Sequence, residues 1–217
     1  MTKKILVLGC SHVSGHGFED AKNGKIISEH VWASKITRDF GYEVVNLSSP
    51  GHSPAYCVEK IQTFPNKETL SALMIMWPHG ERSLQRYTEI NGQDTDIPYH
   101  HNPINKPRWD MTITNYFKHC HNWRMNKVNL LAYVGYAKSL TAELGIPLWM
   151  ATSTDEDQLF LVDSNVKLNA PYDWCTFCQK NDYPKLPDGH WGHDAHENFY
   201  ISLVKPWIKK HVVNSNK

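Results

Sequence analysis

No stretch of this 217-residue chain approaches the roughly 20 consecutive apolar residues of a membrane-spanning helix. Charge of one sign is not in excess. Lys and Arg number 23 against 22 Asp and Glu, a formal net charge of +1 that argues against a nucleic-acid scaffold held by bulk charge. Internal repeats and low-complexity segments are missing, so solenoids and biased linkers drop out. An even cysteine count is also missing. Five Cys leave at least one thiol outside any intramolecular disulfide, which suits a reducing compartment. The apolar run Ile5–Gly9 before Cys10 spans about five residues, short of the roughly 7–15 of a secretory signal. The expectation is a cytoplasmic product, a phage-encoded one included.

What is present is a globular composition. The hydrophobic share is 41% and the aromatic share 12%, too apolar and aromatic for a disordered tail. A chain of this length buries about 70% of its extended surface without staples. One domain spanning residues 1–217 is expected, with an inserted flap at about 87–124. Histidine is the outlier, at 13 residues. Many of these change charge between pH 7 and 5.

Hydrophobic patterning gives the fold class. Ile5–Leu8 is a short, continuously apolar run ended by Gly9, as in a strand buried on both faces. Ser28–Phe40 reads as a helix stopped by Gly41. Glu43–Leu47 is a second strand, Pro54–Phe64 a helix, and Ala72–Trp77 a third strand closed by Pro78. Met125–Leu144 is a long helix, Pro147–Ala151 a fourth strand, and Asp194–His211 a last helix kinked near Pro206. Alternating strands and helices predict an α/β three-layer sandwich around a mostly parallel sheet of about five strands. The stretch Tyr87–Arg124 has no clean period and carries Tyr99, Trp109, Tyr116, Phe117 and Trp123. It reads as an ordered flap that either sets specificity or simply packs on the sheet. Thr154–Lys180 reads as irregular.

Ligands of an open α/β sheet bind beyond the C-terminal strand ends. Those ends carry Gly9-Cys10-Ser11-His12, Ser49-Pro50-Gly51-His52 and Trp77-Pro78-His79-Gly80-Glu81-Arg82. Asp188-Gly189-His190 stands just before the last helix. A nucleophile, a base and an orienting acid assemble from these pieces.

Gly9-Cys10-Ser11-His12-Val13-Ser14-Gly15-His16-Gly17 resembles the first block of the SGNH (GDSL-like) hydrolases. Asn46-Leu47-Ser48-Ser49-Pro50-Gly51 is similar to their second block, and Asp188-Gly189-His190 to their last. The resemblance implies a flavodoxin-like SGNH-hydrolase architecture and a serine esterase that needs no cofactor. Ser11 would be the nucleophile, His190 its base and Asp188 the acid orienting the imidazole. The N–H groups of Ser11 and Gly51 would hold the oxyanion. Small acyl esters, O-acetylated carbohydrate among them, would be the substrates. The partner would then be a small-molecule or carbohydrate ester, with neither nucleic acid nor membrane involved.

The chain departs from the family in three places. Cys10 replaces the Asp before the nucleophile and becomes a rival nucleophile. The Gly-x-Asn-Asp block is replaced by Trp77-Pro78-His79-Gly80, so His79, or Arg82, would take the asparagine's part as oxyanion donor. Asp188 stands two residues before His190, one fewer than in the family.

Each candidate also has a plain structural role. Ser11, Ser14 and Gly51 suit turns, and His79 suits packing on Trp77. Glu81 and Arg82 suit a solvated pair. His12, His16 and His52 read as exposed loop histidines. His193 and His196 read as packing or solvent-facing. Trp191 reads as a shield over the site or a packing residue. Two other functions fit the sequence. One is an SGNH-fold carbohydrate-binding or structural protein that has lost its chemistry. The other is a zinc protein using Cys175, Cys178, His190 and His193, whose spacings come near a structural site.

Overall fold

The computed structural model describes residues 3–22, 26–80, 82, 84–88, 94–98 and 122–214. Four strands form one parallel sheet: β1 (Lys4–Leu8), β2 (Glu43–Asn46), β3 (Leu70–Trp77) and β6 (Leu148–Thr152), in the order β2-β1-β3-β6. Register runs Ile5 opposite Val44 on one side of β1 and Leu6 opposite Leu73 on the other. Two short strands, β4 (Leu84–Thr88) and β5 (Asp94–Pro98), pair separately as an antiparallel hairpin. The sheet therefore has four strands among the described residues where about five were expected.

Side chains alternate across the sheet, and each face has its own core. Ile5, Val7, Met74, Met76 and Trp149 pack with Trp32, Ile36 and the C-terminal helix residues Phe199, Tyr200 and Val204. Leu6, Leu8, Leu73, Ile75 and Trp77 pack with Cys57 and Ile61 of the Pro54–Thr63 helix and Leu130, Val134 and Ala137 of the Trp123–Leu144 helix. Helices on both faces make three layers, the expected α/β class.

Helix ends follow local chemistry. Ser53 accepts from the Tyr56 N–H at 3.3 Å, with Pro54 in the first turn. Asn122 accepts from the N–H groups of Arg124 and Met125. Gly41 and Gly145, at φ +70° and +64°, close their helices in the left-handed conformation. The helix expected from Ser28 begins only at Ser34. Before it, Ser28 and the Glu29 N–H both donate to Asp20, a local competitor to helix hydrogen bonding.

Two helices replace the expected irregular stretch, Asp155–Asp163 and Trp174–Lys180. The first has three acids in its opening turn, a favourable charge for a helix N-terminus that the apolar pattern does not display. The last helix starts at His193 and runs through Val213, with π-helical turns at Tyr200–Val204 and Lys209–Val213 on either side of Lys205–Ile208. Pro206 supplies no N–H, and the hydrogen-bond ladder widens beside it. Most of the expected flap, including Tyr99, Trp109, Tyr116 and Phe117, lies outside the described residues.

Candidate active site

The order β2-β1-β3-β6 reverses direction at β1, and the crevice beyond β1 and β3 is where such sheets bind ligands. The loop after β1 turns there within two residues. Gly9 allows it, because a Cβ would lie 2.4 Å from Val13 Cγ2 and 3.1 Å from the Met76 carbonyl. Ser11 opens the single-turn helix Ser11–Ser14 and is 7% exposed. Its carbonyl accepts from the N–H groups of Gly15 and His16 at 3.0 and 3.2 Å. Cys10 is fully buried, with Sγ 3.5 Å from Ser153 Oγ, whose hydroxyl donates to the Trp77 carbonyl at 2.9 Å. Cys10 and Ser153 thus link the ends of β1, β3 and β6.

The second block joins the same crevice. Asn46 Nδ2 donates to the Val13 carbonyl at 3.0 Å, and Asn46 Oδ1 accepts from the Ser48 N–H at 3.0 Å. Gly51 is buried at φ +77°, a conformation that favours glycine. After β3, the Gly80 N–H donates to Asp157 Oδ2 at 2.8 Å, and the Arg82 N–H to the His79 carbonyl at 3.0 Å. Arg82 is half-buried and its Nη1 lies 3.5 Å from the His52 carbonyl. It reaches from the β3 end to the Gly51 loop. Glu81 lies outside the described residues.

Asp188 and His190 form a compact pair. His190 Nδ1 lies 3.0 Å from Asp188 Oδ2, and the His190 N–H donates to Asp188 Oδ1 at 3.1 Å. The short spacing suits this geometry, since one carboxylate takes both groups of the residue two positions ahead. Gly189 makes the turn at φ +89°. Gly17 packs against the carboxylate so closely that a Cβ there would sit 2.3 Å from Oδ2. Burial lowers the His190 pKa below its ordinary value. Asp188 opposes that shift, while His16 and Arg82 add to it. These surroundings favour the neutral ring over the protonated one.

The first and last blocks meet. The His12 ring lies 5.3 Å from that of His190, and the His16 ring meets His190 edge-on at 5.2 Å. Ser11 is the residue before His12 in that turn. His12 is not a loop histidine in solvent. It is half-buried, 6.0 Å from both Trp174 and Trp191. Burial first, then His190 and Arg82, hold its pKa well below the ordinary value. His52 is half-buried and stacks on Tyr56. These placements correct the expectation of exposed loop histidines. Nothing local marks them, because their surroundings come from distant segments.

The zinc alternative fails on geometry. Among the described residues no three His, Cys, Asp or Glu side chains converge on a point that would hold a metal. Cys178 is buried in the apolar core. Burial pushes the Cys175 thiol up to about 12 and the Cys178 thiol higher. His193 packs with Phe18 and His30, with ring centroids 4.5 and 4.1 Å away. His196 is buried, its Nδ1 accepting from the Trp32 N–H at 3.4 Å and its ring 4.6 Å from Trp174.

This fold is that of the SGNH (GDSL-like) hydrolases. Three solved structures share it over nearly the whole chain. The structure of TesA matches with a TM-score of 0.53 at 15% identity, covering 96% of this chain and 99% of that one. The psychrotrophic esterase EstA from Pseudoalteromonas sp. matches at 0.52 and 11%, covering 95% and 99%. A protein described as lipolytic and of the G-D-S-L family, from Desulfitobacterium hafniense, matches at 0.50 and 10%, covering 92% and 97%. No family model and no curated protein sequence matches.

Proposed function

We propose that the protein is a serine esterase that cleaves small acyl esters through an acyl-enzyme, with 1–217 acting as one hydrolase domain. The observation that carries this is the Asp188–His190 pair, 3.0 Å between Nδ1 and Oδ2, packed beside the turn that begins at Ser11. In this scheme His190 takes the Ser11 proton as the hydroxyl attacks the ester carbonyl. It then passes that proton to the departing alcohol, and water hydrolyses the acyl-enzyme by the same route. Asp188 fixes the proton on Nδ1 and leaves Nε2 as the base. The N–H groups of Ser11 and Gly51 hold the oxyanion, with His79 or Arg82 as a third donor. Cys10 is the weaker nucleophile candidate, because its sulfur is fully buried against Ser153. O-acetylated carbohydrate is one substrate class within this proposal.

Ser11→Ala is the direct test. The variant is expected to fold, to lose turnover of 4-nitrophenyl acetate, and to lose labelling by a fluorophosphonate probe. Retained turnover in this variant excludes Ser11 as the nucleophile. A wild-type protein that neither turns over esters nor takes the probe at any pH favours the binding-protein alternative, which rests on the missing Gly-x-Asn-Asp block.

A further inference from the structure

Two cations flank the candidate site. Arg82 reaches the His52 carbonyl from the end of β3, which sets its guanidinium beside the Gly51 loop. Lys185 lies on the segment leading to Asp188. It is bridged to Trp191 through the backbone, with its ammonium 4.8 Å over the Trp191 ring. The Trp191 ring is in turn 6.0 Å from His12. Among the described residues neither cation has a carboxylate within ion-pair distance, whereas Lys4, Lys35, Arg38 and Lys205 each have one.

Two described acids beside the site are engaged. Asp188 accepts two hydrogen bonds from His190. Asp157 is fully buried and accepts from the Gly80 N–H and from the Thr154 hydroxyl. The charges of Arg82 and Lys185 stand beside the site. Their fields reach the site: Arg82 disfavours protonation of both His12 and His190, and Lys185 that of His12. A crevice of one sign with low-dielectric walls concentrates ligands of the opposite sign.

We propose that the substrate is an ester carrying a negative charge close to its scissile bond, recognised by Arg82 and Lys185. This rests on the esterase function above and names its substrate class. The oxyanion of the transition state is common to every ester and does not distinguish substrates. A charge on the substrate itself does.

The test compares 4-nitrophenyl acetate with two anionic esters. Mono-4-nitrophenyl succinate carries its carboxylate on the acyl side, and 5-acetoxy-2-nitrobenzoate on the leaving-group side. Each kcat/KM is normalised to the ester's spontaneous hydrolysis. At low salt, at least one anionic ester is expected to exceed the neutral one by about tenfold, and about 0.5 M NaCl should remove most of that advantage. The better anionic ester identifies which side of the bond carries the charge. Lys185→Gln is expected to lower the anionic-to-neutral ratio by about threefold or more. Equal kcat/KM values for all three esters at both salt concentrations overturn the proposal. If no ester is turned over, the esterase function fails separately. Binding of monomethyl succinate against dimethyl succinate, followed by tryptophan fluorescence, then decides: a preference for the anion of about tenfold at low salt sustains an anion site, and equal affinity rejects it.

Discussion

Asp188 carries two jobs in one side chain, and exchanging it for asparagine separates them. The carboxylate orients the His190 ring, and its charge raises a pKa that burial has lowered. Asp188→Asn should therefore push the His190 pKa further down. In the proposed mechanism His190 works in its neutral form, so the acidic limb of kcat/KM is expected to move to lower pH. Meanwhile the plateau falls by about 10²–10⁴, the usual worth of a positioned base. A pH–rate profile reads both effects. A plateau within twofold of wild type removes Asp188 from the mechanism. The turns that hold Ser11, Asp188 and His190 were legible because glycines punctuate them and they fall at a strand end or before a helix. His12 was not legible. Its neighbours Trp174, His190 and Trp191 lie far away in sequence, and no local pattern announces such a meeting.

At the scale of elements, legibility followed burial. β1, β3 and β6 read as continuous apolar runs because they are buried over most of their length, whereas β2 is the less buried edge strand. The Asp155–Asp163 helix was hidden because few of its residues are buried. Its anchor is polar: Asp157 ties the helix to the loop after β3 through the Gly80 N–H at 2.8 Å and accepts from Thr154 at 2.9 Å. Asp157→Ala leaves a buried N–H without a partner, at a cost of about 1–3 kcal/mol. For a chain of this size that lowers Tm by roughly 3–10 °C. The same loop presents His79 and Arg82, so the variant should also raise KM for esters. Thermal unfolding with Tm within a degree of wild type, together with unchanged KM, would show that this tie does not hold the loop.

Across the whole molecule, one imidazole joins distant segments on one face of the sheet and sets an acid limit on stability. His196 is 2% exposed, packs on Trp174, and accepts from the Trp32 N–H through Nδ1. An imidazole nitrogen accepts only while it is unprotonated. Burial, aided by Lys35 and His193, lowers its pKa from 6.5 to about 3. Above 6.5 the folded and unfolded chains both hold it neutral, and its contribution is fully present. As the pH falls below 6.5 the unfolded chain binds a proton that the folded chain refuses, so stability is lost at up to about 1.4 kcal/mol per pH unit until about pH 3. Asp20 and Asp188, whose pKa values are lowered from 3.8, act in the same direction but only at lower pH, through their folded-state values. The interval from pH 7 to 5 therefore belongs to the histidines. His12, His190 and His193 share the sign of the effect, since their pKa values are also lowered. His196→Gln keeps an acceptor for the Trp32 N–H without a titrating group. Urea unfolding at pH 7 and pH 5 should show the wild type losing more stability than His196→Gln, by about 1–2 kcal/mol. Equal losses in the two proteins would mean that His196 takes up its proton without unfolding the chain, and that the contact between the C-terminal helix and Trp32 opens locally before the molecule does.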